Sequence, residues 1–410
     1  MQQGVCLIPE FSLKPLDSFL PGIVRATPRA GAPRDRDARG VDISATINEA
    51  LTTAGLLPQR DNRSAIGPVA SRLPALTAIS SAAAPLTVGK FAPTLRPRSA
   101  KAPAAGKIED KAPGGTSVRR SYTNSAGTRD YTLYIPAGLD PSTAAPLVLM
   151  LHGCTQNPDD FATGTRMNAL ADETGVLVAY PAQTARANGS NCWNWFRNQD
   201  QARGTGEPSI LAGIVADIAQ DHRVDEARVY VAGLSAGAAM AVILGRTYPD
   251  VFAAVGAHSG LPFGAATDMP GAFAAMQGRA TTRSAAADAS PGATGRANRI
   301  VPTIVFHGDA DRTVSSSNGR AIVDDVLGSQ RSAARLTAKS TRSEAGGRPY
   351  TRQTYADDSG KQIVELWGLH GAGHAWSGGD PAGSFTDASG PDASAEMLRF
   401  FLQHTNAGGT

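Results

Sequence analysis

Arg228-Val229-Tyr230-Val231-Ala232 runs into Gly233-Leu234-Ser235-Ala236-Gly237, which runs into Ala238-Ala239-Met240-Ala241-Val242-Ile243-Leu244. The first stretch is β-branched and aromatic and predicts a strand, while the last is alanine-rich and predicts a helix. The junction has the G-x-S-x-G spacing. A serine hydroxyl is a weak nucleophile until the fold presents it. A sharp strand-to-helix turn lifts Oγ clear of the sheet and aims a helix N-terminus at it, and the glycines let the two arms approach. The pentapeptide alone says little in a chain with 44 glycines. With the flanking strand and helix it predicts a nucleophile, because a serine that merely capped a helix would leave the glycines on both sides unexplained.

That turn sets where its partners should lie. This class carries its acid after a later strand and its base in a late loop. Ile300-Val301-Pro302-Thr303-Ile304-Val305-Phe306 is an apolar run that ends in His307-Gly308-Asp309-Ala310-Asp311. Asp311 lies farther into the loop, where its side chain reaches across to a histidine; Asp309 is the competitor and more simply organises the turn. Of the seven histidines, His370, His374 and His404 follow the acid. His374 sits in a glycine-rich loop, residues 371–379, able to bring an imidazole to both Ser235 and Asp311, as general-base work requires. His370 closes an apolar strand and His404 ends an amphipathic helix, so both read as strand-end or surface residues. The oxyanion needs amide donors. Ala236 N–H follows the nucleophile, and Cys154 N–H follows the early strand Pro146-Leu147-Val148-Leu149-Met150-Leu151. His152 precedes the acid and reads as a turn-stabilising residue.

These residues carry a resemblance. Leu151-His152-Gly153-Cys154-Thr155-Gln156, Cys192-Trp193-Asn194-Trp195-Phe196, Gly233-Leu234-Ser235-Ala236-Gly237, His258-Ser259-Gly260-Leu261-Pro262 and Gly373-His374-Ala375-Trp376-Ser377-Gly378-Gly379 resemble the polyhydroxybutyrate-depolymerase family of esterases. The resemblance runs in family order over about residues 120 to 404. It implies an α/β-hydrolase fold and cleavage of ester bonds in poly(3-hydroxybutyrate) or related short polyesters, although some relatives act on feruloyl or acetyl esters of plant polysaccharides. By motif it makes Ser235 the nucleophile, Asp311 the acid, His374 the base and Cys154 an oxyanion-hole residue. It also suggests an extracellular protein. Residues 1–21 have no basic n-region and no apolar core of adequate length for a signal peptide, so a cytoplasmic location is the alternative.

Composition divides the chain. All four Trp and all eight Tyr lie beyond residue 115, whereas 13 of the 27 Pro lie before it. Residues 1–115 carry 15 Lys and Arg against 9 Asp and Glu, and the remainder 24 against 27. The first segment is expected to be mostly disordered, since it buries too little apolar surface to offset its ordering entropy. Residues 41–51 could form a short amphipathic helix in it, and the segment could serve as an adhesive arm for a polymer surface or granule.

Residues 116–410 then form one α/β catalytic domain with a mostly parallel sheet flanked by helices. Strands are predicted at 131–137, 146–151, 176–180, 228–232 and 252–256, and helices at 159–173, 209–221 and 236–247. Residues 262–299 form an excursion over the site. No stretch is long enough to span a membrane, and basic residues do not cluster with aromatics as nucleic-acid binding requires. Cysteine and histidine spacing argues against a metal, and no cofactor is expected. Of the three cysteines, Cys154 and Cys192 both belong on the active-site face. A disulfide between them would brace the oxyanion loop and leave Cys6 over.

A polyester is apolar with regularly spaced carbonyls, so flat hydrophobic side chains should line its site. Trp193, Trp376, His258 and Leu261 are the expected contacts, with Trp195 packing under the loop. A serine esterase of polyesters or small esters is the leading expectation. A non-catalytic polymer- or granule-binding protein is the competing class, against which the complete set of Ser235, Asp311 and His374 argues.

Overall fold

The structure, a computed structural model, describes residues 114–279, 299–329 and 336–406. The expectations for the N-terminal segment, its short helix and Cys6 lie outside the described residues. Ten strands form one sheet: β1 (Thr116–Asn124), β2 (Gly127–Ile135), β3 (Ala145–Leu151), β4 (Leu177–Pro181), β5 (Val224–Leu234), β6 (Ala254–His258), β7 (Thr303–Gly308), β8 (Thr337–Ala345), β9 (Arg348–Ala356) and β10 (Gln362–Leu369). Their spatial order is β1-β2-β4-β3-β5-β6-β7-β10-β9-β8. The six central strands, from β4 to β10, run parallel. The β1–β2 ribbon at one edge and the β9–β8 hairpin at the other run antiparallel. This is the α/β-hydrolase fold.

The sheet's centre follows from its sequence. β3, β4, β6 and β7 are buried at every residue, as near-continuous apolar strands covered on both faces must be. Along β3, Leu147, Leu149 and Leu151 enter one apolar layer while Val148 and Met150 enter the other. The helices are α1 (Pro158–Thr165), α2 (Met167–Thr174), α3 (Gly206–Asp221), α4 (Ala236–Thr247), α5 (Met269–Met276), α6 (Ser317–Ser329) and α7 (Ala393–Phe401). α3 and α4 pack into the first layer. Met397, Phe400 and Phe401 of α7 pack into the second.

Two differences from the sequence reading have physical causes. The single helix expected over 159–173 is broken at Arg166, which takes a left-handed conformation with φ 53° and ψ 21°. Its guanidinium reaches Gly378 O at 3.0 Å and Asp392 Oδ2 at 3.1 Å, so distant partners override local propensity. The strands β1, β8 and β9 went unanticipated because they are polar. β8 is exposed from Thr337 to Glu344, on both faces of an open edge.

Candidate active site

Five loops meet at the C-terminal ends of the parallel strands. The central one is the turn from β5 into α4. Ser235 holds φ 57° and ψ −118°, a conformation that costs an L-residue about 1–3 kcal/mol and persists only where the surroundings impose it. Here the close approach of neighbouring backbones imposes it. A Cβ on Gly237 would lie 2.6 Å from His152 O, and one on Gly233 would lie 2.7 Å from Leu151 O. The turn is pinned by Ser235 N–H donating to His258 O at 2.9 Å. Ala236 opens α4, so its N–H has no acceptor within its own helix and adjoins the serine.

The loops after β7 and β10 carry two Asp–His pairs. His374 Nδ1 donates to Asp311 Oδ2 at 2.7 Å, and both side chains are buried. Asp311 Oδ1 accepts the Thr313 and Val314 amides, each at 2.9 Å. Burial opposes ionisation of Asp311, but His374, the Val314 amide and His307 outweigh it and hold the carboxyl below its ordinary value. With Nδ1 donating, neutral His374 presents Nε2 as its basic nitrogen. The second pair differs. Asp309 accepts His370 Nδ1 at 2.9 Å and Gly371 N–H at 2.6 Å, and its side chain is half exposed. It organises the turn.

The other histidines are structural in geometry. His152 Nδ1 donates to Gly153 O at 2.7 Å and Nε2 accepts Gln183 N–H at 3.1 Å; burial lowers its pKa to about 4. His404 is fully buried against Phe400, three residues beyond α7, which corrects its reading as a surface residue. The helix brings it under the sheet, where Tyr230 donates to its backbone oxygen.

Cys154 and Cys192 are joined by a disulfide. It fixes the loop after β3, in which Gly153 N–H donates to Gln156 Oε1 at 2.9 Å and Thr155 N–H to Ser190 O at 2.7 Å. Cys154 N–H lies between these two committed amides. Gln156 Nε2 in turn donates to Asp160 Oδ2 at 3.1 Å and Ser384 O at 3.0 Å. Behind the disulfide loop lies a buried carboxylate, Glu207. It accepts from Arg129 at 2.9 Å, from Gln183 and from both the amide and side chain of Asn194. Asp200 accepts Glu207 N–H at 2.7 Å, and burial together with the charge of Glu207 pushes its pKa up to about 6.

Ser235, Ala236, Cys154 and His374 border one cleft. Its apolar wall consists of Trp195 and Phe196, Leu261, the α5 side chains Met269, Phe273 and Met276, and Phe385. Trp193, Trp376 and His258, expected as substrate contacts, do not border it. Trp193 is fully buried, with Nε1 donating to His152 O at 3.1 Å. Trp376 donates to Ser394 Oγ at 3.0 Å and packs on Phe161 and His258. His258 is fully buried and accepts Ser377 N–H at 3.1 Å; burial, then His307 and His374, lower its pKa to about 3. These three hold loops from behind. Trp195, expected to pack under the loop, borders the cleft instead, because a turn closed by Arg197 N–H on Asn194 O at 3.0 Å redirects the chain after Trp193. The α5 wall went unread, although Met269, Ala272, Phe273 and Met276 have one-face helical spacing.

Among the described residues, no group of three or more His, Cys, Asp or Glu is arranged to hold a metal ion, and no helix is long and apolar enough to cross a membrane.

Residues 129–346 match the family model described as Esterase PHB depolymerase. The chain is 34% identical over 262 residues to poly(3-hydroxyalkanoate) depolymerase C of Paucimonas lemoignei, an alignment covering 63% of this chain and 61% of that protein. It is 30% identical over 298 residues to poly(3-hydroxybutyrate) depolymerase of Ralstonia pickettii, covering 68% and 59%. The chain therefore spans about three fifths of the length of these relatives. An acetyl xylan esterase from Aspergillus awamori shares the fold, with a TM-score of 0.52 and 19% identity over 67% of this chain and 94% of that one.

Proposed function

Because the chain belongs to the esterase PHB depolymerase family, we propose that it is a serine esterase hydrolysing poly(3-hydroxybutyrate) or related short-chain polyesters through an acyl-enzyme. The observation that carries this reading is that His374, bonded to Asp311, borders the same cleft as the strained Ser235 turn. Ser235 Oγ attacks the ester carbonyl while His374 Nε2 takes its proton, and Asp311 holds the imidazolium that forms. Cys154 and Ala236 N–H groups hold the oxyanion. Collapse expels the alcohol, which takes the proton from His374. Water, activated by the same nitrogen, then releases the acid and restores the serine.

The test is a substrate panel of poly(3-hydroxybutyrate) film, 3-hydroxybutyrate oligomers, short p-nitrophenyl esters and methyl ferulate, with Ser235→Ala as control. Turnover of film and oligomers that disappears in the control supports the reading. Activity confined to methyl ferulate replaces it with a hydroxycinnamoyl esterase, and film binding without any turnover replaces it with a binding protein. The Cys154–Cys192 bridge supports an extracellular or otherwise oxidising location, because cytosolic thiols are kept reduced. Peptide mapping without reductant, on protein recovered from its native compartment, tests that part. Residues 1–115 are assigned to contact with the polymer surface. Truncation tests this, with selective loss on film as the expected result.

A further inference from the structure

The α5 side of the cleft is built as a fixed ceiling. Met269, Ala272, Phe273 and Met276 border the cleft, at spacings of three, four and seven residues, so a single face of α5 looks into it. Asp268 caps the helix by accepting Gly271 N–H at 2.7 Å. Its far end is bonded to the loop of the acid: Met276 O accepts Ser315 N–H at 2.7 Å, and Ala275 O accepts from the buried Asn318 side chain at 2.9 Å. The segment leading into α5 is bonded to the aromatic wall, since Gln201 Nε2 donates to both Trp195 O at 2.9 Å and Ala266 O at 2.6 Å.

The chemistry of the lining is as limited as its movement. Among the described residues, no Lys, Arg, Asp or Glu borders the cleft, and its polar groups are those of Ser235, His374, Gln156, Thr313 and the Trp195 indole. The first two belong to the reacting centre, and Gln156 is committed to Gly153, Asp160 and Ser384. Thr313 stands beside the acid, its N–H on Asp311 Oδ1. The α5 face offers only thioethers, a methyl group and a phenyl ring. A carboxylate carried under it would lose its water and gain no cation, whereas a hydroxyl within reach of Thr313 finds Oγ1 without a partner. A short alkyl group loses nothing.

Resting on the esterase reading above, we propose that α5 limits the acyl group held on Ser235 to a short, uncharged aliphatic one, with Phe273 and Met276 setting its length. The acyl group is the part that stays covalently attached through the reaction, so it occupies the closed side, while the departing alcohol needs an open route. On a polyester the short neutral acyl end is the one bearing the free hydroxyl; the other end carries a carboxylate, for which the lining has no cation.

The experiment uses the full chain and p-nitrophenyl acetate, butyrate and octanoate, together with methyl ferulate. In the parent, kcat/KM should peak at two to four carbons and fall by about tenfold or more at eight, with methyl ferulate poor. Phe273 and Met276 are only half-buried, with Met276 resting on the edge of the core, so melting temperatures are measured alongside the rates. Phe273→Ala and Met276→Ala should each raise octanoate relative to butyrate by about tenfold, and Phe273→Leu by less. Equal turnover of octanoate and butyrate by the parent overturns the ceiling. So does a variant that lowers every ester alike with an unchanged melting temperature. If no ester is turned over in a Ser235-dependent way, the esterase reading fails and the ceiling with it. Ser235-dependent turnover without a chain-length shift fails the ceiling alone.

Discussion

Ser235, His374 and Asp311 act in the proposal as one unit, so their losses should be severe and non-additive. Ser235→Ala and His374→Ala should each lower kcat by about three orders of magnitude or more, measured on p-nitrophenyl butyrate. Asp311→Asn should approach that loss. Asp309→Asn should cost less than about tenfold, because its partner His370 lies outside the cleft. The reverse ranking would move the acid to Asp309. A second expectation concerns Trp376, which is buried among Phe161, His258 and Ser394. Trp376→Ala should destabilise the chain by about 3–5 kcal/mol in denaturant unfolding and lower all ester activities in parallel. A selective rise in KM for oligomers alone would return it to the substrate wall. The sequence made the β5–α4 turn readable as strand, turn and helix, because that geometry needs glycine at two fixed positions. It did not say which tryptophan of Trp193 and Trp195 faces the cleft. Two residues apart in an extended chain they would share a face, and the turn at Asn194–Arg197 that separates them has no marker in the sequence.

At the scale of elements, the site depends on segments fastened by buried polar groups. The Cys154–Cys192 bridge closes a loop of 38 residues in sequence, for which chain entropy predicts about 4 kcal/mol of stabilisation. Cys192→Ser should lower stability by about that amount. It should also lower kcat on small esters, since Cys154 N–H is no longer held. Alkylation of the parent under denaturing, non-reducing conditions should label Cys6 alone. The Asp200–Glu207 pair gives this region a pH signature. The Asp200 pKa is raised to about 6 from its ordinary 3.8, so between these values the folded chain binds the proton more tightly than the unfolded chain. Stability from this group is therefore present at acid pH and is lost as pH rises toward and past 6. Asp200→Asn keeps an acceptor for Glu207 N–H but does not ionise. Its melting temperature relative to the parent should climb from pH 4.5 to pH 7.5, and a constant difference would remove Asp200 as the cause. Neither carboxylate was readable from sequence. An acid near a glycine-rich loop looks like any solvated residue until the fold buries it.

For the whole molecule, alternating apolar strands and helices identified the parallel centre, since strands covered on both faces must be continuous in hydrophobicity. The polar strands β1, β8 and β9 left no such trace, because only their pairing defines them. Every residue of the proposed site lies between 152 and 374 or at Phe385. A chain starting at residue 114 should therefore keep kcat on p-nitrophenyl butyrate within about twofold of the parent, loss on film being the separate question; collapse on the small ester would show that the earlier residues complete the catalytic domain. The open β8 edge has its own consequence. Among the described residues β8 is an edge strand, a template on which a second copy can zip, and on the polyester reading proposed above the molecule gathers on a solid polymer and meets its copies at high density. Lys339, Arg342 and Glu344 lie along that strand and are all exposed. On that reading they would keep neighbours on a crowded film from joining into a continuous ribbon and leave each molecule able to detach and move to fresh substrate.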